Sequence, residues 1–436
     1  METKVRIPEI EFLSAEEITR CQEQKLSESI QYLNKNSLFY RNMFIRENIN
    51  PDDIRTIKDL KKIPFTTKND LNYHNEQFIC VDRSKITDYV TTSGTLGDPV
   101  TFALTDGDLE RLAYNEYISF ICSDGSPEDI YQLMCTIDRR FMAGLAYFLG
   151  IRKLGAGVIR VGNGLPELQW DTIKRIKPTI MIAVPSFILK MLEYADKNGI
   201  DYNSTSVTKA VCIGENIRNT DFSYNSIGKK ITDRWKIKLY STYASTEKGT
   251  SFNECSAGMG GHLHPELIIA EILDEHGNDV GEGETGELVF TTLGVEGMPL
   301  LRYRSGDLCQ FFSAPCSCGR NTIRLGPIVG RRNHMIKYRG TTLYPPALYD
   351  ILDSVHEVSM YYIEVYTNDI GTDEILIHIN TQGDPGIVEG LIKDKIRAKV
   401  RVAPRIITED LEILKKTVLP EISRKPIKFI DRRQNL

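Results

Sequence analysis

The sequence lacks any segment suited to membrane insertion or export. Its first residues, Met-Glu-Thr-Lys-Val-Arg-Ile-Pro, contain no apolar stretch of the kind a signal peptide needs. No uninterrupted apolar run anywhere in the 436 residues reaches the roughly 18 positions that a membrane-spanning helix requires. We therefore expect a cytoplasmic protein.

An excess of basic charge is also absent. The formal net charge is −5, and charged and hydrophobic residues make up 26% and 41% of the chain. This balance is ordinary for a globular protein and gives no reason to expect nucleic acid or an anionic membrane as partner. The length predicts two or three domains with ample chain for a core.

Disulfides are not expected either, because nine cysteines is an odd number and so long a chain does not depend on them. In a reducing compartment, the close pair Cys316 and Cys318 indicates metal binding or free thiols. With Cys255 and His262 they could form a closed, structural Cys₃His zinc site. His264 is a competing imidazole, and four free side chains are the alternative.

What the sequence does contain is an alternation of helices and strands between residues 106 and 242, which predicts a parallel α/β sheet. The first helix, over 106–122, is predicted to be capped by Asp106. From about residue 255 strands dominate. We therefore predict an α/β protein: a large N-terminal domain (1–330) with a parallel sheet and a β-rich part, and a small α+β domain (331–436).

A loop rich in glycine and hydroxyl groups separates two predicted strands before this region. Glycines let the backbone approach a ligand closely, and successive N–H groups and hydroxyls form a cradle for anions such as polyphosphate. It is not a Walker loop, because Gly97 is followed by Asp98 and a strand. A plain hairpin is the alternative. The candidate phosphate ligands are Ser93, Gly94, Thr95 and Gly97.

Two further segments could contact a nucleotide. Tyr243 could stack on adenine, and Glu247 could bind Mg²⁺ between phosphates. Asp307, on a glycine turn, could accept hydrogen bonds from a ribose diol. Ligands bind at the carboxyl ends of parallel strands, so we expect Gly214 and Glu215 at the same sheet edge as the Tyr243 segment. Each segment alone also fits a polar surface loop.

Taken in order, these motifs resemble the adenylate-forming enzymes, namely acyl-CoA synthetases, adenylation domains and luciferases. Residues 92–99 resemble their Ser-Gly-Thr-Thr-Gly-x-Pro loop, and 243–247 their Tyr-Gly-x-Thr-Glu motif. Residues 424–431 are similar to their Gly-Lys-x-x-Arg-x-Val-Asp ending, and Gly330-Arg331 to the start of their hinge. The short length, the Cys/His set and Leu343-Tyr-Pro345 after Gly340 resemble the phenylacetate-CoA ligase subfamily.

This resemblance implies an ATP-dependent ligase that forms an acyl-AMP from an aryl carboxylic acid, transfers the acyl group to coenzyme A and uses Mg²⁺. It implies a mobile small domain that rotates near Asn333 and carries a catalytic lysine, Lys425, with Glu247 as the second catalytic residue. The remaining implied ATP ligands are Gly214, Glu215, Tyr243, Ala244, Ser245, Thr246, Asp307 and Arg331. The implied substrate residues are Phe141, Ala143 and Gly144, and the implied CoA residues are Lys337, Tyr338, Arg339 and Gly340.

The motifs depart from the family pattern at several positions. Leu96 and Asp98 replace a threonine and a lysine in the loop, and Ala244 replaces a glycine. Asn333-His334 replaces paired aspartates at the hinge, and Arg424 replaces the glycine before the late lysine. These changes put the loop lysine's role and the hinge behaviour in doubt, but none removes a residue needed to form the adenylate.

Two other functions stay open at this point. The protein could form adenylates for an acceptor other than CoA, or it could be a zinc-stabilised nucleotide-binding protein without catalysis. The expected partners are the acid, ATP and CoA. The sequence leaves the acid and the oligomeric state open, with a homodimer as one alternative.

Overall fold

The computed structural model describes residues 8–92, 99–338, 341–368, 373–400, 402–420 and 426–433. The chain divides into two compact units. The first comprises Met1–Tyr224, Gly228–Ser305 and Cys309–Pro327, and the second comprises Asn225–Ile227, Gly306–Leu308 and Ile328–Leu436. Within the described residues, no helix combines the length and the apolar character needed to cross a membrane.

Up to residue 327 the chain forms helices and strands in alternation. The helices are α1 (Ala15–Asn36), α2 (Leu38–Arg46), α3 (Lys68–Tyr73), α4 (Asp106–Cys122), α5 (Met142–Leu154), α6 (Pro166–Ile176), α7 (Pro185–Lys197) and α8 (Ser226–Thr232). The strands are β1 (Ile86–Thr91), β2 (Thr101–Thr105), β3 (Ile130–Leu133), β4 (Gly157–Arg160), β5 (Ile180–Ala183), β6 (Lys209–Cys212), β7 (Lys238–Ser245), β8 (Thr250–Glu254), β9 (Gly261–His262), β10 (Ile268–Leu273), β11 (Gly286–Thr292), β12 (Tyr303–Cys309), β13 (Phe311–Phe312) and β14 (Arg324–Leu325).

The main sheet of the first unit has the strand order β13-β14-β9-β8-β7-β6-β5-β3-β4. Its part from β4 to β7 is parallel, which confirms the predicted parallel sheet. From β7 onward the sheet is antiparallel, because β8 turns back beside β7 and β9 beside β8. The α/β class predicted from the sequence is therefore confirmed. Within the predicted β-rich part, β9, β13 and β14 join the main sheet, whereas β10, β11 and β12 lie in a separate sheet.

Burial explains why the short apolar runs form the central strands. Every residue of β5 is buried, as expected for a strand covered by helices on both faces.

Helix α4 begins as predicted, but its N-cap is Thr105 and not Asp106. The Thr105 hydroxyl accepts the Asp108 N–H at 3.0 Å, and the Asp108 carboxylate accepts the Thr105 N–H at 3.0 Å. This reciprocal capping box satisfies two N–H groups, which a lone Asp106 cap would not.

The second unit has an α+β arrangement. Its helices are α9 (Pro345–Asp353), α10 (Pro385–Val400) and α11 (Leu411–Val418). Its strands are β15 (Gly330–Arg331), β16 (Ile336–Tyr338), β17 (Thr341–Leu343), β18 (Val358–Thr367), β19 (Asp373–Thr381), β20 (Arg405–Thr408) and β21 (Phe429–Asp431). The four-stranded sheet β20-β19-β18-β21 packs its apolar face on helix residues such as Leu348 and Ile392, which gives this unit a core of its own.

Candidate nucleotide site and Cys/His cluster

Neighbouring parallel strands bring two of the predicted nucleotide segments to one edge of the sheet. Cys212, at the end of β6, pairs with Ser241 of β7. Gly214 and Tyr243 each follow two residues later, so both segments lie at the carboxyl ends of adjacent strands. This is the edge where parallel α/β sheets bind ligands.

The Glu215 carboxylate is already engaged within the first unit. It accepts the backbone N–H of Ser186 at 2.9 Å and the Ser186 hydroxyl at 3.0 Å, at the start of α7. A carboxylate is favourable there because the first N–H groups of a helix lack partners within the helix. The contact fixes the segment that follows β6 against α7.

The turn after Tyr243 contains a buried cation that sequence reasoning missed. Lys248 is fully buried; its Nζ lies 3.7 Å from the centroid of the Tyr243 ring and donates to the Ser245 hydroxyl at 3.1 Å. Glu247 beside it is half-buried. A lysine that follows a glutamate normally indicates a solvated surface, so composition gave no signal for this burial.

A cavity of about 20 Å³ lies beside this turn, which is on the order of the space one water molecule needs. Polar and apolar side chains of the first unit share its lining. Among them are Arg111, Glu247, Lys248, Phe102, Leu112 and Met142. Glu247 therefore lines a small, partly open cavity together with Arg111 and Lys248.

The predicted glycine-rich loop connects two strands that pair as expected. Strands β1 and β2 are antiparallel, with Tyr89 opposite Ala103. The Thr92 N–H donates to the Val100 carbonyl at 3.0 Å, and the Thr92 hydroxyl accepts the Val100 N–H at 3.0 Å, so the two ends of the loop are held together. The four loop residues assigned to phosphate, Ser93, Gly94, Thr95 and Gly97, lie outside the described residues.

The predicted acyl residues lie at the start of α5. Phe141 and Ala143 are half-buried and pack against an apolar cluster that includes Tyr147. Gly144 is required by close packing, because a Cβ there would lie 1.8 Å from the Thr136 carbonyl oxygen. Close approach of α5 to the residues after β3 thus fixes the position of this segment.

In the second unit, the structure brings Asp307 and Arg331 together. Asp307 on β12 lies opposite Arg331 on the antiparallel strand β15. Arg331 Nε donates to Asp307 Oδ1 at 3.0 Å. Gly306 adopts φ 73°, a conformation that glycine favours, so the predicted glycine turn is present. Asp307 is 6% exposed.

The predicted CoA residues occupy different environments in this unit. Lys337 is exposed on β16, whereas Tyr338 is buried in the core and its hydroxyl donates to the Ala403 carbonyl at 3.3 Å. Arg339, Gly340 and the late lysine, Lys425, lie outside the described residues.

The four residues predicted to bind zinc converge in the first unit. Cys255 follows β8, His262 lies on β9, and Cys316 and Cys318 lie between β13 and β14. Their ligand atoms all lie within 4.8 Å of one another. The Cys255 and Cys316 sulfurs are 3.6 Å apart, and Cys318 Sγ lies 3.5 Å from His262 Nε2.

The donor set fits a structural zinc ion. Three sulfurs and one imidazole nitrogen complete a tetrahedral set. His262 Nδ1 is 2.9 Å from the Thr322 hydroxyl, which leaves Nε2 toward the sulfurs and matches the usual outer support of a histidine ligand. Although burial raises the pKa of the Cys318 thiol, hydrogen bonds from His262 and Arg320 lower it to about 5, which favours the thiolate. Burial raises the pKa of Cys255 to about 12.

The competing imidazole, His264, has a different role. Its Nδ1 is 2.6 Å from a Glu11 carboxylate oxygen, and its Nε2 is 3.0 Å from the Ser119 hydroxyl. Arg320 Nε also donates to Glu11 at 2.5 Å. Both ring nitrogens of His264 are therefore used in the buried network, and His262 is the imidazole of the Cys/His cluster.

Comparison with known proteins gives a consistent result. Residues 21–296 match the model of the AMP-binding enzyme family. The chain is 31% identical to a phenylacetate-coenzyme A ligase of Thermus thermophilus, covering 84% of this chain and 82% of that protein. It is 29% identical to the Escherichia coli phenylacetate-coenzyme A ligase, covering 83% and 82%. The fold matches the crystal structure of 2-hydroxyisobutyryl-CoA ligase in its postadenylation state, with TM-score 0.84, 20% identity, and coverage of 97% and 91%. The chain therefore belongs to the AMP-binding, adenylate-forming enzyme family and, within it, to the phenylacetate-CoA ligase subfamily.

Proposed function

We propose that this protein is an AMP-forming acid–CoA ligase that activates an aryl carboxylic acid, of the phenylacetate type, and transfers it to coenzyme A. The observation that carries the proposal is the 31% identity to a phenylacetate-coenzyme A ligase over most of both chains. The meeting of the Gly214 and Tyr243 segments at one sheet edge supports a nucleotide site.

In the first reaction, a carboxylate oxygen of the acid attacks the α-phosphorus of ATP, and pyrophosphate leaves with the electron pair of the broken P–O bond. A carboxylic acid is already ionised at neutral pH, so this attack needs no general base. The protein has to stabilise the charge on the phosphoryl oxygens. We assign this role to Lys425 with Ser93 and Thr95, and each such donor typically contributes about 10²–10³ in rate.

Binding of the nucleotide falls to the remaining motif residues. Tyr243 with Gly214 and Glu215 lines the adenosine, and Asp307 with Arg331 holds ribose and phosphate. We assign Mg²⁺ to the carboxylate of Glu247, because carboxylate oxygens are ligands that Mg²⁺ prefers. When bound, Mg²⁺ neutralises charge on the phosphates.

In the second reaction, the thiolate of CoA attacks the acyl carbon, the bond between this carbon and the phosphate oxygen breaks, and AMP leaves with its electron pair. A thiol with an ordinary pKa of about 8.5 is partly ionised near neutral pH, so correct orientation supplies much of the rate. We assign the admission of CoA to residues 337–340. Rotation of the small domain near Asn333 would withdraw Lys425 and bring this segment into use.

The Cys255, His262, Cys316 and Cys318 cluster is proposed to hold a structural zinc ion. The support is that four ligand atoms from segments distant in the sequence meet within 4.8 Å and offer the sulfur and nitrogen donors that zinc prefers. A closed set of four protein ligands leaves no position for substrate, so the ion would stabilise the fold and take no part in the reaction.

The acid is proposed to be an arylacetic acid, with another small aromatic acid as the second candidate. Phe141, Ala143 and Gly144 at the start of α5 are assigned to its aryl group. The test is acid-dependent exchange between ATP and labelled pyrophosphate with a panel of carboxylic acids. We expect arylacetic acids to give the highest kcat/KM, and a higher value for short aliphatic acids would contradict the assignment.

A further inference from the structure

Strand β8 follows the Tyr243–Glu247 motif and is unusually polar for a buried strand. All five of its residues are buried, and four of them are polar: Thr250, Ser251, Asn253 and Glu254. A buried polar group without a hydrogen bond costs free energy, so each of these side chains needs a partner. The partners determine which register the strand can adopt.

Helix α4 supplies many of these partners from one face. Arg111, Asn115, Ser119 and Ser123 are spaced by four, which aligns them along the helix and its C-cap. Asn115 Oδ1 accepts from the Thr250 hydroxyl at 2.5 Å and from the Ser251 N–H at 3.2 Å. Asn115 Nδ2 also donates to the Ser251 hydroxyl at 3.2 Å, and the Ser119 hydroxyl lies 2.9 Å from that hydroxyl. The Ser123 hydroxyl donates to the Glu254 carbonyl at 3.2 Å. We call Arg111, Asn115, Ser119 and Ser123 the polar stripe of α4.

Arg111 holds the end of β8 that adjoins Glu247. Its guanidinium donates to the carbonyl oxygens of Gly249 at 2.6 Å, Leu267 at 2.7 Å and Leu293 at 2.8 Å. Burial lowers its pKa to about 10, which leaves it charged at neutral pH. The planar guanidinium carries five N–H donors in a fixed arrangement on three nitrogens, so it can bond three carbonyls that lie apart. The three donors of a lysine ammonium all belong to one nitrogen at the end of a flexible stem.

The turn between Glu247 and β8 needs a contact from outside the turn, such as the Arg111 bond to the Gly249 carbonyl, to hold its conformation. Gly249 adopts φ 54°, and glycine populates many backbone conformations, so the turn alone does not fix its own geometry. Arg111 bonds the Gly249 carbonyl only two residues after Glu247, and both Arg111 and Glu247 line the same cavity. A shift of β8 by one residue would break the bonds that Asn115, Ser119 and Ser123 make to this strand.

We propose that Arg111 is a positioning residue for Glu247: by fixing the Gly249 carbonyl, it sets where the Glu247 carboxylate meets the phosphates of ATP. The inference rests on the proposed function and names a residue that the adenylate-forming motifs do not include. Arg111 should therefore affect the affinity for MgATP, which carries the β- and γ-phosphates and a metal ion. It should not affect the affinity for AMP.

The test compares equilibrium binding of MgATP and of AMP by calorimetry, without acid, in the full-length protein. In Arg111→Lys and Arg111→Met we expect the Kd for MgATP to rise by about tenfold, the usual effect of removing support from a metal-binding side chain. The Kd for AMP should stay unchanged. An unchanged MgATP affinity in Arg111→Lys, or a parallel loss of both affinities, would overturn the inference.

Two further variants separate this result from its alternatives. Glu247→Gln should show the same selective loss of MgATP affinity; if it does not, the proposed role of Glu247 is wrong, whatever Arg111 does. Arg324→Lys is the matched control, because Arg324 is also buried and donates to main-chain carbonyls, those of Met259 and Ala314, away from β8. We expect it to leave both affinities unchanged, and a selective MgATP defect in this control would also contradict the inference.

Discussion

Cys318 Sγ lies 3.5 Å from His262 Nε2, although the two residues are 56 positions apart in the sequence. Two further cysteine sulfurs lie within 4.8 Å of this pair. The loop between β13 and β14 is thereby placed against β9, at the end of the main sheet.

The purified protein should contain zinc in equal amount to the chain, as measured by atomic emission. Cys318→Ser and His262→Ala should lose the ion and unfold at lower temperature, because a structural zinc site contributes directly to folding free energy.

Two controls sharpen this prediction. Cys80→Ser changes a buried cysteine whose thiol donates to the Phe78 carbonyl, away from the cluster, and should keep its zinc. His264→Gln should also keep zinc but lose about 1–3 kcal/mol of stability, the cost of leaving buried hydrogen-bonding groups unpaired. Zinc loss in His264→Gln with retention in His262→Ala would reverse the assignment of the imidazole.

Asp307→Ala should weaken binding of MgATP and AMP equally, since the ribose diol is common to both. A hydrogen bond to a charged group contributes about 1.5–3 kcal/mol, which corresponds to a rise in Kd of roughly 10- to 100-fold. Calorimetry with the two nucleotides measures this, and loss of affinity for MgATP alone would contradict a ribose contact.

Glu116 should make stability fall as the pH rises. It is buried on α4, accepts a hydrogen bond from Asn115 at 2.9 Å, and has its pKa raised from 4.5 to about 8 by burial. Between these two values the unfolded chain has released the proton that the folded chain retains, so the free energy of unfolding decreases with pH across the window. The stability of Glu116→Gln relative to wild type should therefore increase from pH 5 to about pH 8. Urea titrations at several pH values test this, and a constant difference would show that Glu116 is ionised in the folded protein.

Lys425→Ala should slow acid-dependent pyrophosphate exchange by about 10²–10³-fold, because it removes a donor to the developing phosphoryl charge. Thioester formation from supplied acyl-AMP and CoA should be spared. Lys428→Ala is a nearby control, since Lys428 pairs with Asp353 inside the second unit. Equal loss in both half-reactions for Lys425→Ala would contradict its role.

Much of the fold was predictable because apolar strand runs and turn residues act locally. Local sequence alone was enough to predict the parallel strands β3 and β5–β7 and the paired hairpin strands β1 and β2. The Cys/His cluster was predictable from residue type, since few other arrangements use three thiols and an imidazole. The choice between His262 and His264 was not, because it depends on Glu11, more than 250 residues away.

The polar stripe of α4 was missed for a different reason. Polar residues that recur along a helix ordinarily lie on its solvent-exposed face, so Arg111, Asn115 and Ser119 drew no prediction. Their strict spacing of four was visible in the sequence. It could be interpreted only with the knowledge that α4 packs against β8, a polar strand more than a hundred residues later. Lys248 was missed because nothing local distinguishes a buried lysine from an exposed one.

The most direct test of the central claim is release of AMP from ATP with phenylacetate, measured with and without CoA. We expect AMP to appear in step with phenylacetyl-CoA and sustained turnover to require both the acid and CoA. Sustained release of AMP at the same rate without CoA, or ATP consumption that does not depend on the acid, would contradict it.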